Sequence, residues 1–130
     1  SNAERSTLLT NVTDLGAARW ELVSLGDDEE IVHRGQSAPF LEFSMDVGRV
    51  AGSTGCNRLT GAFESDGEAL NLGPLATTRM ACPDMELESR FLEALEDVGT
   101  YKLTGAGLVL ATAGGKELMR FAAIDVDPTS

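Results

Sequence analysis

The stretch AGSTGCNRLTGAF, residues 51–63, decides the fold of this chain. Gly52, Gly55 and Gly61 make it too rich in glycine for a helix, and its ends are too apolar for a disordered linker. Glycine lets a strand bend sharply or lets two backbones approach closely, and asparagine can hold a turn through its own side chain, as we expect of Asn57. The stretch therefore predicts a strand, a turn and a second strand.

Strand periodicity continues on both sides of this stretch. Alternation in residues 18–25 and 39–45 predicts two strands before it. After it, Asp66-Gly67 predicts a hairpin turn, and three short apolar segments separated by glycine turns, from residue 100 to residue 124, predict a meander. In the first strand the alternation places Leu25 with Glu21 and Val23, on the face opposite Trp20 and Leu22, and in the second it places Met45 on the same face as Leu41 and Phe43. Leu70 and Leu72 are expected to face inward, and Tyr101 and Leu103 lie on the face opposite Lys102.

One segment, residues 82–99, breaks the strand pattern. Its apolar residues recur at helical spacing. Pro83 suits the first helical turn and Gly99 suits the C-terminal cap. The segment predicts one helix of about 14 residues with its acidic side chains on a solvated face. The apolar stripe is Leu87, Phe91, Leu95 and Val98, and the acidic residues near the positive end of the helix dipole are Asp84, Glu86 and Glu88.

These elements predict a protein that is mainly β with one α-helix. Short antiparallel strands with many glycine turns favour a small, closed β-barrel, with the helix between Cys82 and Gly99 plugging one end or packing beside it. We interpret residues 1–3 as the scar of a cleaved expression tag, residues 4–17 as a leader and residues 18–127 as a single domain.

Charge and motif content restrict the function. The net charge is -11 and the pI is near 4.3, so nucleic acid and anionic membrane surfaces would repel the chain. No apolar run is long enough to span a bilayer, and the sequence holds no nucleophile elbow, phosphate loop, HExxH motif or CxxC pair. The single histidine, His33, is expected in a surface loop. We expect neither an enzyme nor a cofactor or metal site.

The two cysteines, Cys56 and Cys82, leave three interpretations open. They are two buried thiols, one disulfide if the protein is exported, or a pair that includes a reactive thiol. We predict that they lie close enough to bond. Trp20 is expected in the core or plugging the barrel rather than as a platform for a ligand.

Several segments together resemble the META domain, the HslJ-like family of heat-inducible proteins. They are WELVSL, GSTGCNRLTGAF, LNLGPLATTRMACP, FLEAL and GLVLATAGGKELMRF, and they run in order from about Trp20 to Ala122. The resemblance implies a small antiparallel barrel, lipocalin-like in outline, with one helix. It also implies a link to stress response, to novobiocin resistance and, in protozoan relatives, to secretion and virulence. The motif residues, structural or interacting, are Gly55, Cys56, Asn57, Arg58, Thr78, Arg79, Met80 and Cys82.

Because many bacterial members of the family are exported or are lipoproteins, the resemblance implies an extracytoplasmic location, periplasmic or membrane-anchored, and leaves the cytoplasm open. The leading hypothesis is an envelope domain that binds another envelope protein. The alternative is a barrel that binds a small antibiotic or lipid-like molecule. A solid core with an exposed apolar patch beside Arg79 favours the first, and an empty apolar cavity favours the second. Arg58 and Arg79 either bind an anionic partner or pair with local carboxylates.

Overall fold

A computed structural model describes residues 15–26, 38–81, 85–104 and 107–124. In these residues eight antiparallel strands follow one another in chain order, and the first pairs with the last to close a ring. The predicted antiparallel barrel with one helix is therefore confirmed. The elements are a 3-10 turn at Leu15–Ala17, β1 Arg19–Leu25, β2 Phe40–Ser44, β3 Arg49–Ser53, β4 Arg58–Asp66, β5 Ala69–Thr77, α1 Glu86–Glu96, β6 Thr100–Leu103, β7 Gly107–Ala111 and β8 Glu117–Ile124.

Large apolar side chains fill the interior of the ring. Trp20 is fully buried, and its indole N–H donates to the carbonyl oxygen of Leu15 at 2.9 Å, so the one polar atom of the ring is satisfied. Trp20 is thus a core residue, as predicted. The other almost fully buried apolar residues come from all around the ring and from the helix: Leu41, Val50, Leu59, Leu70, Phe91, Leu95, Leu108, Leu110 and Met119.

The helix buries the predicted stripe, and Leu87, Phe91, Leu95 and Val98 all belong to the core. The ring of Phe91 meets that of Phe121 in β8 edge-on at 6.3 Å. The helix has 11 residues, which is shorter than predicted, and no helix in the described residues has the length and apolar character needed to cross a membrane.

The predicted cap at Gly99 is wrong. The helix ends at Glu96, and its C-terminal cap is Asp97 in a right-handed conformation. Gly99 instead lets the chain pass Ala113, because a Cβ atom at position 99 would lie 2.6 Å from the Ala113 backbone nitrogen. Pro83 and Asp84 lie outside the described residues.

Strands β5 and β6 are neighbours in the ring but share little pairing. They share one residue pair, Ala69 with Thr100. Beyond it β5 runs on to Thr77, and helix α1 lies alongside that part of the strand. Between them is an apolar groove of about 320 Å³, whose walls include Leu75 of β5 and Leu92 of the helix.

Two predicted side-chain directions are wrong. Leu25 is buried rather than turned outward, because the pairing of β1 with β8 shifts register between Leu22 and Ser24 and the alternation is reset there. Met45 is exposed rather than inward, because β2 ends at Ser44 and Met45 stands in the turn that follows.

The opening stretch forms β3, a turn and β4, as predicted. A Cβ atom at Gly52 would collide with the carbonyl oxygen of Phe40, and one at Gly61 would lie 2.5 Å from a methyl carbon of Leu75. Gly55 adopts a φ of 93°, a conformation that residues with a side chain rarely take. These three glycines therefore meet the backbone demands expected of them.

Candidate functional site

The turn between β3 and β4 is held by the side chain of Thr54, which is fully buried. Its hydroxyl oxygen accepts from the backbone N–H groups of Cys56, at 3.2 Å, and of Asn57, at 2.9 Å. Its own backbone N–H donates to the Asn57 carbonyl oxygen at 2.8 Å. The prediction that Asn57 holds this turn through its own side chain is wrong, and that side chain is directed elsewhere.

The Asn57 amide, only 2% exposed, joins three parts of the chain. Its oxygen accepts from the Thr78 hydroxyl at 2.8 Å and from the Met80 N–H at 2.6 Å. Its nitrogen donates to Glu88 Oε1 at 2.8 Å and to the Met80 carbonyl oxygen at 3.2 Å. An amide has two acceptor positions and two donors, so Asn57 is fully satisfied. The amide therefore ties the segment after β5 and the helix to the turn.

Glu88 is the residue that sequence reasoning missed. It is 9% exposed, and its Oε1 accepts from the Thr54 hydroxyl at 2.5 Å as well as from Asn57. The predicted solvated face of the helix is therefore wrong at this position. The available signal was its place beside Leu87 and three residues before Phe91, at the border of the apolar stripe. The positive end of the helix dipole also favours a carboxylate in this first turn.

Cys56 is half-buried, and in the structure it is disulfide-bonded, so it is not a free thiol. Its sulfur lies 3.4 Å from the Met80 carbonyl oxygen and 4.0 Å from the sulfur of Met85. Cys82 lies outside the described residues, and the Cys56–Cys82 pairing therefore stays a prediction. His33 lies outside them too.

Around Cys56 the structure exposes both apolar and cationic side chains. Met80 is 57% exposed and Met85 is 38% exposed. Arg58 and Arg79 are exposed, and within the described residues neither guanidinium has an ion-pair partner. The interpretation in which these two arginines pair with local carboxylates thus finds no support among the described residues. We call Cys56, Arg58, Arg79, Met80 and Met85 the motif corner.

Two other arginines in the described residues form ion pairs with carboxylates. Arg19 contacts Glu42 at 3.0 Å and lies over the ring of Phe40. Arg120 contacts Glu117 at 2.6 Å, and the hydrogen bonds and charge of that carboxylate raise the pKa of the guanidinium. Arg58 and Arg79 differ from these two arginines in having no ion-pair partner among the described residues.

A groove of about 670 Å³ runs from the motif corner along the outer face of β3. Small residues, Ala51 and Ser53, form its floor. Phe40 stands on one side and Arg58 on the other, and Met80 lies at the end near Cys56.

The exposed side chains of this corner can make charged and apolar contacts. The side-chain polar groups of Asn57 and the Thr54 hydroxyl are engaged with other groups of the protein. No cluster of His, Cys, Asp or Glu within the described ranges could hold a metal ion. The exposed groups include two guanidinium groups, which donate hydrogen bonds, and two thioethers, which are weak acceptors.

A closed antiparallel ring with a filled interior, one helix and a buried Asn–Glu–Thr cluster under an exposed rim defines a small β-barrel domain. The META domain model matches residues 13–125, and the chain belongs to the META domain family. The resemblance seen in the sequence is thereby confirmed.

Solved structures agree with this assignment at the level of the fold. A protein solved by NMR is 28% identical, with a TM-score of 0.66 over 85% of this chain and 92% of its own. A DUF4847 family protein from Bacteroides vulgatus is 20% identical, with a TM-score of 0.64 over 87% of this chain and 96% of its own. A protein from Burkholderia xenovorans, also solved by NMR, is 24% identical, with a TM-score of 0.64 over 84% of this chain and 83% of its own. No curated protein matches the sequence.

Proposed function

We propose that this META domain is a non-enzymatic interaction domain of the cell envelope that helps the envelope tolerate stress. It binds another envelope protein through the motif corner. The observation that carries the proposal is the exposure of Met80 and Met85 beside Arg58 and Arg79, which have no ion-pair partner among the described residues, on a barrel whose interior is filled. This is the combination of solid core and apolar patch beside Arg79 that favours interaction over ligand binding.

The filled interior weighs against a small-molecule function. A ligand inside the ring would have to displace side chains such as Trp20, Leu41 or Met119, which are buried to 1% exposure or less. Protein cores are closely packed, and forcing additional atoms into such a core destabilises it by about 1–3 kcal/mol.

The motif corner has the composition of a protein-binding surface. Methionine adapts its shape to a partner, and arginine is enriched at interfaces whereas lysine is depleted. The buried Asn57–Glu88 network fixes the backbone at Met80, so little conformational entropy is lost when that part of the surface is covered. In a chain with a net charge of -11, two arginines on one rim that lack a carboxylate partner in the described part of the chain attract acidic groups selectively.

The envelope location is supported by the disulfide at Cys56, because disulfides persist in oxidising compartments and are rare in the cytosol. The stress role rests on the family. We expect that, in protein extracted from the envelope, Cys56 and Cys82 both resist alkylation until a reductant is added. Two thiols that react without reductant would contradict the location.

The proposed interaction can be tested by photo-crosslinking in source cells. A photoreactive benzoyl-phenylalanine replaces Met80 in the full-length protein, and the cells are irradiated during heat stress. We expect a discrete cross-linked species in the envelope fraction that weakens severalfold when Arg79→Glu is added, because reversing this charge repels an acidic partner.

Val47 supplies the matched control position. It is apolar and 65% exposed, and it lies in the β2–β3 turn rather than in the motif corner. The same probe at Val47 should give only background. Equal cross-linking from both positions, or none from Met80, would refute an interaction through this corner.

A further inference from the structure

The groove on the outer face of β3 follows from strand register. Phe40, Ser53 and Arg58 form one row across β2, β3 and β4, and Glu42, Ala51 and Thr60 form the next row. In both rows the middle residue is small and its neighbours are larger. The result is a slot that follows β3, with β2 and β4 as its walls.

The dimensions of the slot suit one extended chain. Its walls belong to strands two spacings apart, about 10 Å, and one extended chain is about 4.8 Å wide in the plane of a sheet. Strand β3 is paired on both sides. An occupant therefore lies across the side chains of the sheet and adds no strand to it.

The charges of the slot indicate the chemistry of the occupant. Arg19, on the β2 side, is neutralised by Glu42, while Arg58 on the β4 side has no carboxylate partner in the described part of the chain. Phe40 and Met80 contribute apolar surface at the same end. Among the described residues, the slot thus offers one positive charge without a carboxylate partner beside two apolar contacts.

We infer that this groove binds an extended polypeptide segment of the partner that places a carboxylate against Arg58 and an apolar side chain between Phe40 and Met80. The inference rests on the proposed interaction function and names the chemistry of the segment recognised. A charge-assisted bond from the planar guanidinium orients the carboxylate, and the groove fixes the direction of the chain.

Two substitutions disable the groove in different ways. Ala51→Phe fills the floor from an exposed strand position without changing the charge. Arg58→Ala removes the cation without filling the floor. Each has a matched control: Ala76→Phe at an exposed position of β5 outside the groove, and Arg49→Ala at the other end of β3. Arg49 is four residues from Ser53, about 13 Å along the strand, which exceeds the screening length at physiological salt.

The test uses a phage-displayed library of random dodecapeptides selected on the immobilised domain, followed by fluorescence anisotropy of the recovered peptides. We expect sequences in which Asp or Glu lies next to Leu, Met or Phe. Their Kd should rise by about tenfold or more in Ala51→Phe and in Arg58→Ala and by less than about twofold in the two controls. A thermal melt of Ala51→Phe within a few degrees of the parent shows that the variant is folded.

Three results would overturn the inference. Recovered peptides that bind folded Ala51→Phe as tightly as the parent would place their site elsewhere. If a partner is cross-linked from position 80 both in the parent and in Ala51→Phe, the proposed interaction is retained but does not use the groove. If neither the library nor the cross-linking probe yields binding, the proposed function and the groove fail together.

Discussion

At the scale of single residues, the motif separates into residues that join segments of the chain and residues whose side chains are presented at the surface. Asn57 is buried and Thr78 is exposed, and the hydrogen bond between their side chains joins the turn to the region before the helix. Arg58, Arg79 and Met80 remain exposed. Residues next to each other in one motif therefore have different roles, the first set supporting the surface that the second set presents.

We predict that Asn57→Ala lowers the free energy of unfolding by about 2–4 kcal/mol, because the Met80 N–H and the Glu88 carboxylate lose buried partners. Urea denaturation measures the change. Asn71→Ala, at an exposed position of β5, should stay within about 0.5 kcal/mol of the parent. An Asn57→Ala loss as small as that of the control would show that the network does not stabilise the fold.

We also predict that Gly61→Val damages folding. Its Cβ would lie 2.5 Å from a Leu75 methyl carbon and 2.9 Å from the Pro74 carbonyl oxygen, and the backbone of β5 cannot withdraw without breaking its pairing with β4. Soluble yield and melting temperature are the measurements. Gly114→Val, whose Cβ would lie 3.8 Å from the nearest atom, is the control. Normal yield and melting for Gly61→Val would contradict the close approach.

At the scale of secondary structure, the sequence predicts the elements well and their ends less well. The stripe from Leu87 to Val98 is a local pattern, so periodicity reveals it. The burial of Glu88 depends on which turn the helix meets, and the burial of Leu25 depends on a bulge against β8. Neither is encoded within the segment itself. Pairing between segments that are distant in the sequence therefore determines which of these side chains are buried, including the Glu88 carboxylate of the candidate site.

The helix should contribute to stability mainly through its buried stripe. We predict that Leu95→Ala costs about 2–4 kcal/mol, because Leu95 is almost fully buried and its truncation leaves a cavity under the helix. Glu93→Ala, exposed on the same helix, should change the free energy of unfolding by less than about 0.5 kcal/mol. A Leu95→Ala loss well under 1 kcal/mol in chemical denaturation would mean that the helix does not seal the core.

At the scale of the whole molecule, the ring is closed weakly at one place. One residue pair joins β5 to β6, and the helix covers the remainder of β5. Short strands and glycine turns predict a closed sheet in general terms. The weak pairing between β5 and β6 cannot be predicted from these features. It depends on the stagger of each strand relative to its neighbour in the closed ring.

The central claim is that the barrel is solid and acts through its outer surface. A thermal-shift screen with novobiocin, lipids, cell-wall fragments and small anions tests it most directly. A ligand at 100 times its Kd adds about 2.7 kcal/mol and raises the melting temperature by several degrees. We predict no shift with any of these compounds, because buried apolar side chains of the described residues fill the interior of the ring. A dose-dependent rise with novobiocin or a lipid that persists in Ala51→Phe, where the outer groove is filled, would place the binding of that compound elsewhere and contradict the claim.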